Sequence, residues 1–330
     1  MTGQTIVAII KVNNIYANEI TEGDCIMSLV VEHIRKKYGN HVAVDDLSFS
    51  IENPGIFALL GTNGAGKSTA IRMILGMLAK ESGTVTWKGK PLDVTAEKVG
   101  YLAEERGLYP KYNIIEQMYY FASLKGMKHS DAAKAIDYWF GRLEVNEYRN
   151  KRADQLSKGN QQKIQLAAAL VSDPELLILD EPLSGLDPVN ADLFKSVIRE
   201  EISKRKYIIM SSHQMATIEE FCENIVILHR GKTVLTGNLN EIKKGYGRIN
   251  LTVKADGDFM PMAAECGLAV KEQTPNGTNF RVDSEHQAEE LLRKMMNAGV
   301  IPVRFDLSEP TLHEIFVEKV DKAEEEEENI

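Results

Sequence analysis

The sequence has few cysteines, no long apolar run and fewer basic than acidic residues, and each shortage argues against a class of protein. The three cysteines, Cys25, Cys222 and Cys266, are scattered and show no metal-ligand spacing, so free thiols in a reducing compartment are expected. No apolar run approaches the roughly 20 residues of a membrane-spanning helix. With 39 Lys and Arg against 48 Asp and Glu, the net charge of −9 argues against nucleic acid as a partner.

The two ends of the chain differ in composition from the rest. The stretch before Met27 has no charged start, apolar segment or cleavage site of a secretory signal. Residues 1–27 are therefore predicted to form an N-terminal extension and not a secretory signal. A strand-like pattern begins at Met27, so a second interpretation, in which Met27 is the true start, stays open. The acidic run 324–328 predicts a disordered tail over residues 321–330.

The pattern between these ends predicts a large domain over residues 28–238. Antiparallel strands flank the turn 38–40, and a mainly helical block spans about residues 113–171. Further apolar strands are expected at 56–60, 176–180, 207–212, 225–230 and 233–237. Because strands alternate with helices, the sequence predicts an α/β fold with a mainly parallel, helix-covered sheet, an antiparallel β subdomain and a helical subdomain.

A smaller accessory domain is predicted over residues 239–320. Its pattern between residues 248 and 305 is strand, helix, strand, strand, helix, strand. This βαββαβ order is that of a ferredoxin-like α+β domain. A closing amphipathic helix is expected to place Leu312, Ile315 and Phe316 on one face.

The clearest motif is GTNGAGKS at residues 61–68, which satisfies G-x-x-x-x-G-K-[ST] between a strand and a helix. Its glycines let backbone N–H groups point at phosphate oxygens, and the helix N-terminus adds positive charge. Lys67 is expected to neutralise the β- and γ-phosphates, and the Ser68 hydroxyl to bind Mg²⁺. The candidate nucleotide-binding residues of this segment are Gly61, Asn63, Gly64, Ala65, Gly66, Lys67, Ser68 and Thr69.

Two acidic residues end the apolar strand in ELLILDEP, residues 175–182. A phosphate-binding loop needs an acidic partner for Mg²⁺ beside it, and Asp180 fits that part. Glu181, one residue later, is placed to orient and deprotonate a water that attacks the γ-phosphate. We therefore predict Asp180 as a metal ligand and Glu181 as the general base.

A second small polar turn, LSKGN at residues 156–160, opens another helix. With the two motifs above, residues 29–238 resemble the ATP-binding subunits of ABC (ATP-binding cassette) transporters, P-loop NTPases whose signature is L-S-G-G-Q. The resemblance implies that this turn contacts the γ-phosphate of an ATP held by a second subunit in a head-to-tail dimer. The candidate residues are Ser157, Lys158, Gly159, Asn160 and Gln161. Lys158 replaces a glycine of the signature, which questions any backbone geometry that only glycine adopts.

The resemblance assigns roles to four further residues. It implies that Tyr38 stacks on adenine, that Asp187 of SGLD communicates between subunits, and that His213 reaches the γ-phosphate and the attacking water. Glu104 stands where the family usually has a glutamine that touches Mg²⁺ and senses the transporter. The implied catalytic residues are Glu181, His213 and Lys67, and the implied metal ligands are Ser68, Asp180 and Glu104.

The function that the resemblance implies is ATP hydrolysis with Mg²⁺ by a dimer around two ATP molecules, coupled to a separate transmembrane permease. The dimer is formed with a second copy or a paralogue, and the subunit sits at the cytoplasmic face of the membrane through the permease. The helical block 113–171, with the Glu104 loop, is the expected docking surface. The C-terminal unit resembles extensions of export-type members, so export is the expected direction.

Two other functions compete with this interpretation. The first is an ABC-type ATPase without a membrane partner, as in DNA repair or translation. Repair relatives insert a long coiled coil, and the segment between the two turns has no sustained heptads. The second is a P-loop kinase, which gives no reason for the turn 155–163, SGLD or His213.

Overall fold

The computed structural model describes residues 28–95, 98–105 and 107–328. The predicted N-terminal extension, residues 1–27, lies outside the described residues. No helix in the described part of the chain is both long and apolar enough to cross a lipid bilayer.

An antiparallel sheet begins the described chain. Its strands are β1 (Leu29–Tyr38), β2 (His41–Ile51), β4 (Ser82–Trp87) and β5 (Lys90–Pro91), in the order β2-β1-β4-β5. Tyr38 pairs with His41 across a two-residue turn, where Gly39 takes a left-handed φ of 56°. This turn holds Tyr38 at the end of the sheet.

A six-stranded sheet forms the centre of the molecule. Its strands are β3 (Gly55–Leu60), β6 (Val99–Leu102), β7 (Leu176–Asp180), β8 (Tyr207–Ser212), β9 (Asn224–His229) and β10 (Lys232–Asn238), in the order β10-β9-β3-β8-β7-β6. Only β10 runs antiparallel to its neighbour. Because β3, β7 and β8 are adjacent and parallel, the loops that follow Leu60, Asp180 and Ser212 meet at one edge of the sheet.

Helices cover this sheet and give it two cores. They are α1 (Lys67–Ile74), α2 (Ile114–Leu124), α3 (His129–Arg142), α4 (Lys158–Leu170), α5 (Pro188–Ser203) and α6 (Met215–Glu219), with short 3₁₀ turns at Asn146–Tyr148 and Ala153–Gln155. Alternate residues of β3 serve the two cores, because successive side chains of a strand point to opposite faces. Ala58 and Leu60 pack with the helices α2–α5, and Phe57 and Leu59 pack with α1 and the antiparallel sheet.

The C-terminal region has a sheet and core of its own. After α7 (Leu239–Tyr246) come β11 (Asn250–Ala255), α8 (Met260–Glu265), β12 (Val270–Thr274), β13 (Gly277–Arg281), α9 (Glu285–Asn297) and β14 (Pro302–Ser308). The sheet order is β12-β13-β11-β14, with all neighbours antiparallel. This is the βαββαβ arrangement predicted from the sequence, with Leu251 and Phe280 in its core. The boundary between residues 238 and 239 stays a prediction.

The last helix, α10 (Leu312–Glu328), includes residues 321–328 of the tail that the sequence predicts to be disordered, and residues 329 and 330 lie outside the described residues. Leu312 and Phe316 pack into the core of the large domain, which anchors the start of the helix. Farther along, Glu324 Oε1 lies 2.7 Å from Arg230 Nη2. Glutamate is a good helix former, and this ion pair supports the acidic segment against the β9–β10 turn.

Candidate active site

The loop 61–66 joins β3 to α1, and two of its glycines are required by close backbone contacts. A Cβ on Gly61 would lie 2.4 Å from the Leu228 carbonyl oxygen, and one on Gly66 would lie 2.3 Å from that of Ala43. Gly66 also caps α1 with a left-handed φ of 106°, which side chains rarely adopt. The loop therefore depends on glycine for the curl that the sequence motif predicted.

Lys67 is the first residue of α1, and its side chain folds back over the loop. Its Nζ donates to the carbonyl oxygens of Gly61, at 2.8 Å, and Thr62, at 3.2 Å. Nζ also lies 3.2 Å from Glu181 Oε1, an ion pair without hydrogen-bond alignment. A buried ammonium shared among such acceptors is available to phosphate oxygens that approach the loop.

Glu181 follows β7 and is brought against His213, which follows β8. Its carboxylate is 5% exposed, and Oε2 lies 2.9 Å from His213 Nδ1. The backbone of Glu181 has φ 49°, and its N–H donates to Ser211 Oγ at 2.9 Å. The predicted base is therefore buried, fixed in orientation and paired with both of the other predicted catalytic side chains.

Asp180 is buried at the end of β7 and accepts a hydrogen bond from Ser211 Oγ at 2.6 Å. Burial raises the pKa of this carboxyl, hydrogen bonds from Ser211 and Ser68 work against that rise, and the Glu181 charge adds to it. A buried carboxylate beside a hydroxyl is an oxygen donor pair of the kind Mg²⁺ prefers, and a cation would offset the cost of burying the charge. Ser211 joins the two acidic residues, a role that the sequence did not indicate.

A cavity of about 300 Å³ connects most of the predicted nucleotide-binding residues. Its lining comprises Tyr38, His41, Ala43, Asn63, Gly64, Gly66, Lys67, Ser68, Thr69, Glu104 and Glu181. Tyr38 and Glu104, far from the loop in sequence, are thus brought to the same cavity. His41 and Ala43 were not predicted, although both lie directly beyond the turn that carries Tyr38. Gly61 and Ala65 are not part of this lining; the Ala65 side chain is buried, and its carbonyl accepts from the Gly231 N–H at 3.0 Å.

The turn 156–160 lies outside this cavity and caps α4. Ser157 Oγ accepts from the Asn160 N–H at 3.3 Å, and the Ser157 and Lys158 side chains are exposed. Lys158 is helical, so the lysine in place of glycine meets no left-handed backbone at this position. The buried Gln161 amide donates to the carbonyl oxygens of Ala153, at 2.9 Å, and Leu156, at 3.0 Å. Gln161 thereby fixes the turn that presents Ser157 and Lys158.

Helix α4 is hydrogen-bonded to both loops that carry predicted acidic residues. Gln162 Nε2 donates to the carbonyl oxygen of Pro182, next to Glu181, at 2.7 Å. Gln165 Nε2 donates to that of Glu105, next to Glu104, at 3.3 Å. Nothing in the sequence distinguishes these two glutamines beyond their position after the turn.

Asp187 is the N-cap of α5, where its carboxylate accepts from the Asn190 N–H at 3.0 Å. This backbone hydrogen bond, with a second bond from the Asn190 side chain, lowers the pKa of Asp187. Asn190 also faces the 156–160 turn, since a Cβ on Gly159 would lie 3.3 Å from its Nδ2. The same Cβ would lie 3.8 Å from Cδ2 of Leu186, the residue before Asp187, so the segment around Asp187 lies close to that turn.

The protein family, relatives and solved structures that resemble this chain are ATP-binding proteins of ABC transporters. Residues 44–184 match the family described as ABC transporter, and residues 237–320 match the family described as ATP-binding protein DrrA1-3-like, C-terminal domain. Nod factor export ATP-binding protein I of Cupriavidus metallidurans is 33% identical over 220 residues, 65% of this chain and 72% of that protein. The solved structure of an ATP binding subunit of an ABC transporter aligns with a TM-score of 0.62 and 28% identity, over 67% of this chain and 93% of that chain.

Among the proteins named here, the one that aligns with the largest share of this chain is YhaQ, an uncharacterized ABC transporter ATP-binding protein of Bacillus subtilis (strain 168). The two are 44% identical over 293 residues, which cover 88% of this chain and 98% of YhaQ. The similarity thus extends through both the large domain and the C-terminal region. The phosphate-binding loop, the acidic strand end and this similarity together establish that the chain belongs to the ABC transporter ATP-binding proteins, whose ATP-binding domain binds and hydrolyses ATP.

Proposed function

We propose that this chain is the ATP-hydrolysing subunit of an exporter, in which two ATP-binding subunits close around two ATP molecules and drive a separate permease. The observation that carries the proposal is the position of Glu181. Its buried carboxylate lies between His213 and Lys67, beside the cavity that Tyr38 and the loop line. A carboxylate between an imidazole and an ammonium group, beside the phosphate-binding loop, supports the assignment of Glu181 as the base and of His213 and Lys67 as charge-stabilising groups.

In the proposed reaction, Lys67 binds the β- and γ-phosphates and Glu181 orients and deprotonates the attacking water. His213 Nδ1 holds the Glu181 carboxylate, and the partly exposed imidazole is proposed to reach the γ-phosphate and the attacking water. Asp180 and Ser68 would hold Mg²⁺, with Glu104 at the cavity edge, and the metal supplies charge neutralisation on the phosphates. Ser211 keeps Asp180 and the Glu181 backbone in fixed relative positions.

A second subunit is part of the proposal because the 156–160 turn lies outside the cavity of its own chain. Its exposed Ser157 hydroxyl and the N–H groups at the start of α4 are suited to bind phosphate oxygens. In the proposed dimer, the Ser157 hydroxyl and these N–H groups face the nucleotide held by the other subunit and bind its phosphate. The Asn190–Gly159 contact would then link that nucleotide to Asp187.

Export through a membrane permease is supported by the relatives and the C-terminal region. One relative is named for Nod factor export, and residues 237–320 match an accessory domain found in ATP-binding proteins. Attachment at the cytoplasmic face of the membrane through the permease belongs to the same proposal. Co-purification with an integral membrane protein supports it, whereas co-purification with ribosomes or DNA would favour the alternative ABC-type ATPase without a membrane partner.

The test of the catalytic assignment is Glu181→Gln. Because the amide cannot accept the proton from water, we expect ATP hydrolysis to fall by about 100-fold or more while ATP binding is retained. Bound ATP should then hold two subunits together on gel filtration. Glu175→Gln is the matched control, because Glu175 lies just before the same strand and pairs with Lys88 at the surface. Hydrolysis near the wild-type rate in Glu181→Gln would remove Glu181 from its role.

A further inference from the structure

Tyr38 stands at the end of β1, where its ring is half exposed and has a cationic neighbour. Lys36 Nζ lies over this ring, 5.5 Å from the ring centroid. The two residues are two positions apart in one strand, so their side chains lie on the same face of it. An ammonium group within about 6 Å of an aromatic centroid is attracted by the negative face of the ring, so Lys36 and Tyr38 form a cation–π pair.

The Lys36 ammonium group is held in place by the segment that follows α1. Its Nζ donates a hydrogen bond to the Ala79 carbonyl oxygen at 2.8 Å. In the same segment, the Glu81 N–H donates to the Arg35 carbonyl oxygen at 2.9 Å, and Glu81 Oε1 accepts from the Lys37 N–H at 3.2 Å. The acceptor of Lys36 is therefore fixed to the strand that carries Lys36, which gives the ammonium group a defined position before any ligand binds.

Tyr38 lines the candidate nucleotide cavity, and Lys36 is not part of that lining. The ammonium group therefore does not fill the space into which a base would stack. A half-exposed tyrosine beside a two-residue turn loses rotational freedom when a base stacks on it, and that loss of entropy weakens binding. A cation–π contact that already favours one orientation of the ring reduces this loss.

A general electrostatic role is the competing explanation, because any lysine near the cavity attracts the phosphates of a nucleotide. Lys37 separates the two explanations. It carries the same charge one residue later, its side chain is exposed, and as the next residue of the strand it points to the opposite face from Lys36 and Tyr38. A contribution from charge alone would be shared by both lysines, whereas a contribution through the ring belongs to Lys36.

We propose that Lys36 is a positioning residue of the nucleotide site, whose ammonium group, held by the Ala79 carbonyl, orients the Tyr38 ring for stacking on the base of ATP. The inference deepens the proposed function, since it rests on the stacking role of Tyr38. It concerns the base alone. Lys36 is therefore expected to add affinity for a nucleotide but not for its triphosphate group by itself.

The test is a double-mutant cycle on the full chain, with the Kd of Mg²⁺–ATP measured by calorimetry. Lys36→Met keeps the length of the side chain without its charge and should raise the Kd about threefold, and Lys36→Arg, which keeps a cation, should restore it. Tyr38→Leu should raise the Kd about tenfold, and adding Lys36→Met to it should change the Kd no further. Lys37→Met is the matched control and should bind ATP as the wild type does.

Two further measurements separate orientation of the ring from a general effect of charge or structure. In competition with ATP, inorganic tripolyphosphate, which has no base, should bind equally to the wild type and to Lys36→Met. In steady-state hydrolysis, KM for ATP should rise in Lys36→Met while kcat stays unchanged, because the contact concerns the base and not the reacting phosphate.

Each contrary result has a distinct meaning. Equal weakening of ATP and tripolyphosphate binding in Lys36→Met, or an equal rise of the Kd for ATP in Lys37→Met, would show a general charge effect and overturn the inference. An unchanged Kd in Lys36→Met, when Tyr38→Leu does weaken binding, would overturn it too and leave the proposed function intact. ATP binding unaffected by Tyr38→Leu would instead remove the stacking role of Tyr38, and the inference with it.

Discussion

Glu181 occupies an unusual position for a glutamate, in both its backbone and its burial. A φ of 49° costs energy in any residue other than glycine, and a buried carboxylate costs more unless it is paired. Ser211 Oγ accepts a hydrogen bond from the Glu181 N–H and so offsets the cost of the backbone conformation. His213 and Lys67 pair with the carboxylate and offset the cost of burying its charge. The energy stored at this residue is consistent with a catalytic position, where a fixed orientation matters more than local stability.

Glu104 is one of the positions at which the chain departs from the pattern that its family resemblance implies, and Glu104→Gln introduces the glutamine expected there. A neutral oxygen donor still reaches the cavity, so we expect hydrolysis within about tenfold of the wild-type rate, a change of less than about 1.4 kcal/mol in the barrier. Phosphate release measured over a series of Mg²⁺ concentrations checks this. Glu105→Gln serves as the control, because the side chain of Glu105 does not line the cavity. Complete loss of activity in Glu104→Gln would show that the carboxylate itself is needed.

Among individual residues, the sequence identified those whose type and immediate neighbours indicate their chemistry. The loop 61–68 and the pair Asp180–Glu181 were identified because their chemistry is local in the chain. Ser211 was missed as a linking residue, since its two bonds reach residues on another strand. Gln161 was grouped with the exposed signature residues, and the structure shows its amide bonded inside the turn instead.

Among the secondary structure elements, α4 makes the most direct connections to the site. Its N-terminal residues present Ser157, its next turn bonds to the backbone beside Glu181, and Gln165 bonds to the backbone beside Glu104. A rotation of the helical subdomain would therefore move the turn and both loops together. The sequence predicted the helix, but these bonds depend on which of its faces meets the sheet.

Helix α10 joins the large domain to the C-terminal sheet by two different kinds of contact. Leu312 and Phe316 are buried in the large domain, whereas Glu314 binds Lys271 and Asn250 of the C-terminal sheet. Burial opposes ionisation of Glu314, but the hydrogen bonds from Lys271, the Thr311 N–H and Asn250 outweigh it and lower its pKa to about 2. The link between the two parts is thus partly electrostatic.

This depressed pKa gives a prediction for Glu314→Gln. A carboxyl with a lower pKa in the folded state stabilises the protein above its unfolded pKa of about 4.3, and that stabilisation disappears as pH falls toward 2. We expect the variant to lose about 1–2 kcal/mol of unfolding free energy at pH 7, and less at pH 3. Urea unfolding followed by circular dichroism at both pH values measures the difference. Glu290→Gln, which removes one side of an exposed pair with Lys294, should change stability little at either pH.

In the whole molecule, the turn 156–160 contributes no residue to the lining of the candidate nucleotide cavity. The cavity lies at the edge where β3, β7 and β8 end, and the turn 156–160 is outside its lining. Under the proposed function, the cavity and the turn are two parts of one site, and a single chain holds them in two places. This separation is the feature that the proposed head-to-tail dimer explains.

Ser157→Arg tests the dimer. A long charged side chain at the exposed helix start would obstruct contact with the nucleotide of a second subunit, so we expect hydrolysis to fall by about 100-fold or more. ATP binding by the monomer, measured by calorimetry, should be unchanged because Ser157 does not line its own cavity. Ser284→Arg is the control, since Ser284 is the exposed N-cap of a C-terminal helix. Hydrolysis at the wild-type rate in Ser157→Arg would contradict the shared site.

The order of strands and helices, the phosphate-binding loop and the acidic strand end can be predicted from the sequence, because each depends on neighbouring residues and their periodicity. The contacts between distant segments could be identified only in the folded structure. These include Ser211 between the two acidic residues and the acidic end of α10 against Arg230. Hydrogen bonds and ion pairs across the fold depend on geometry, which is set by the packing of the whole chain.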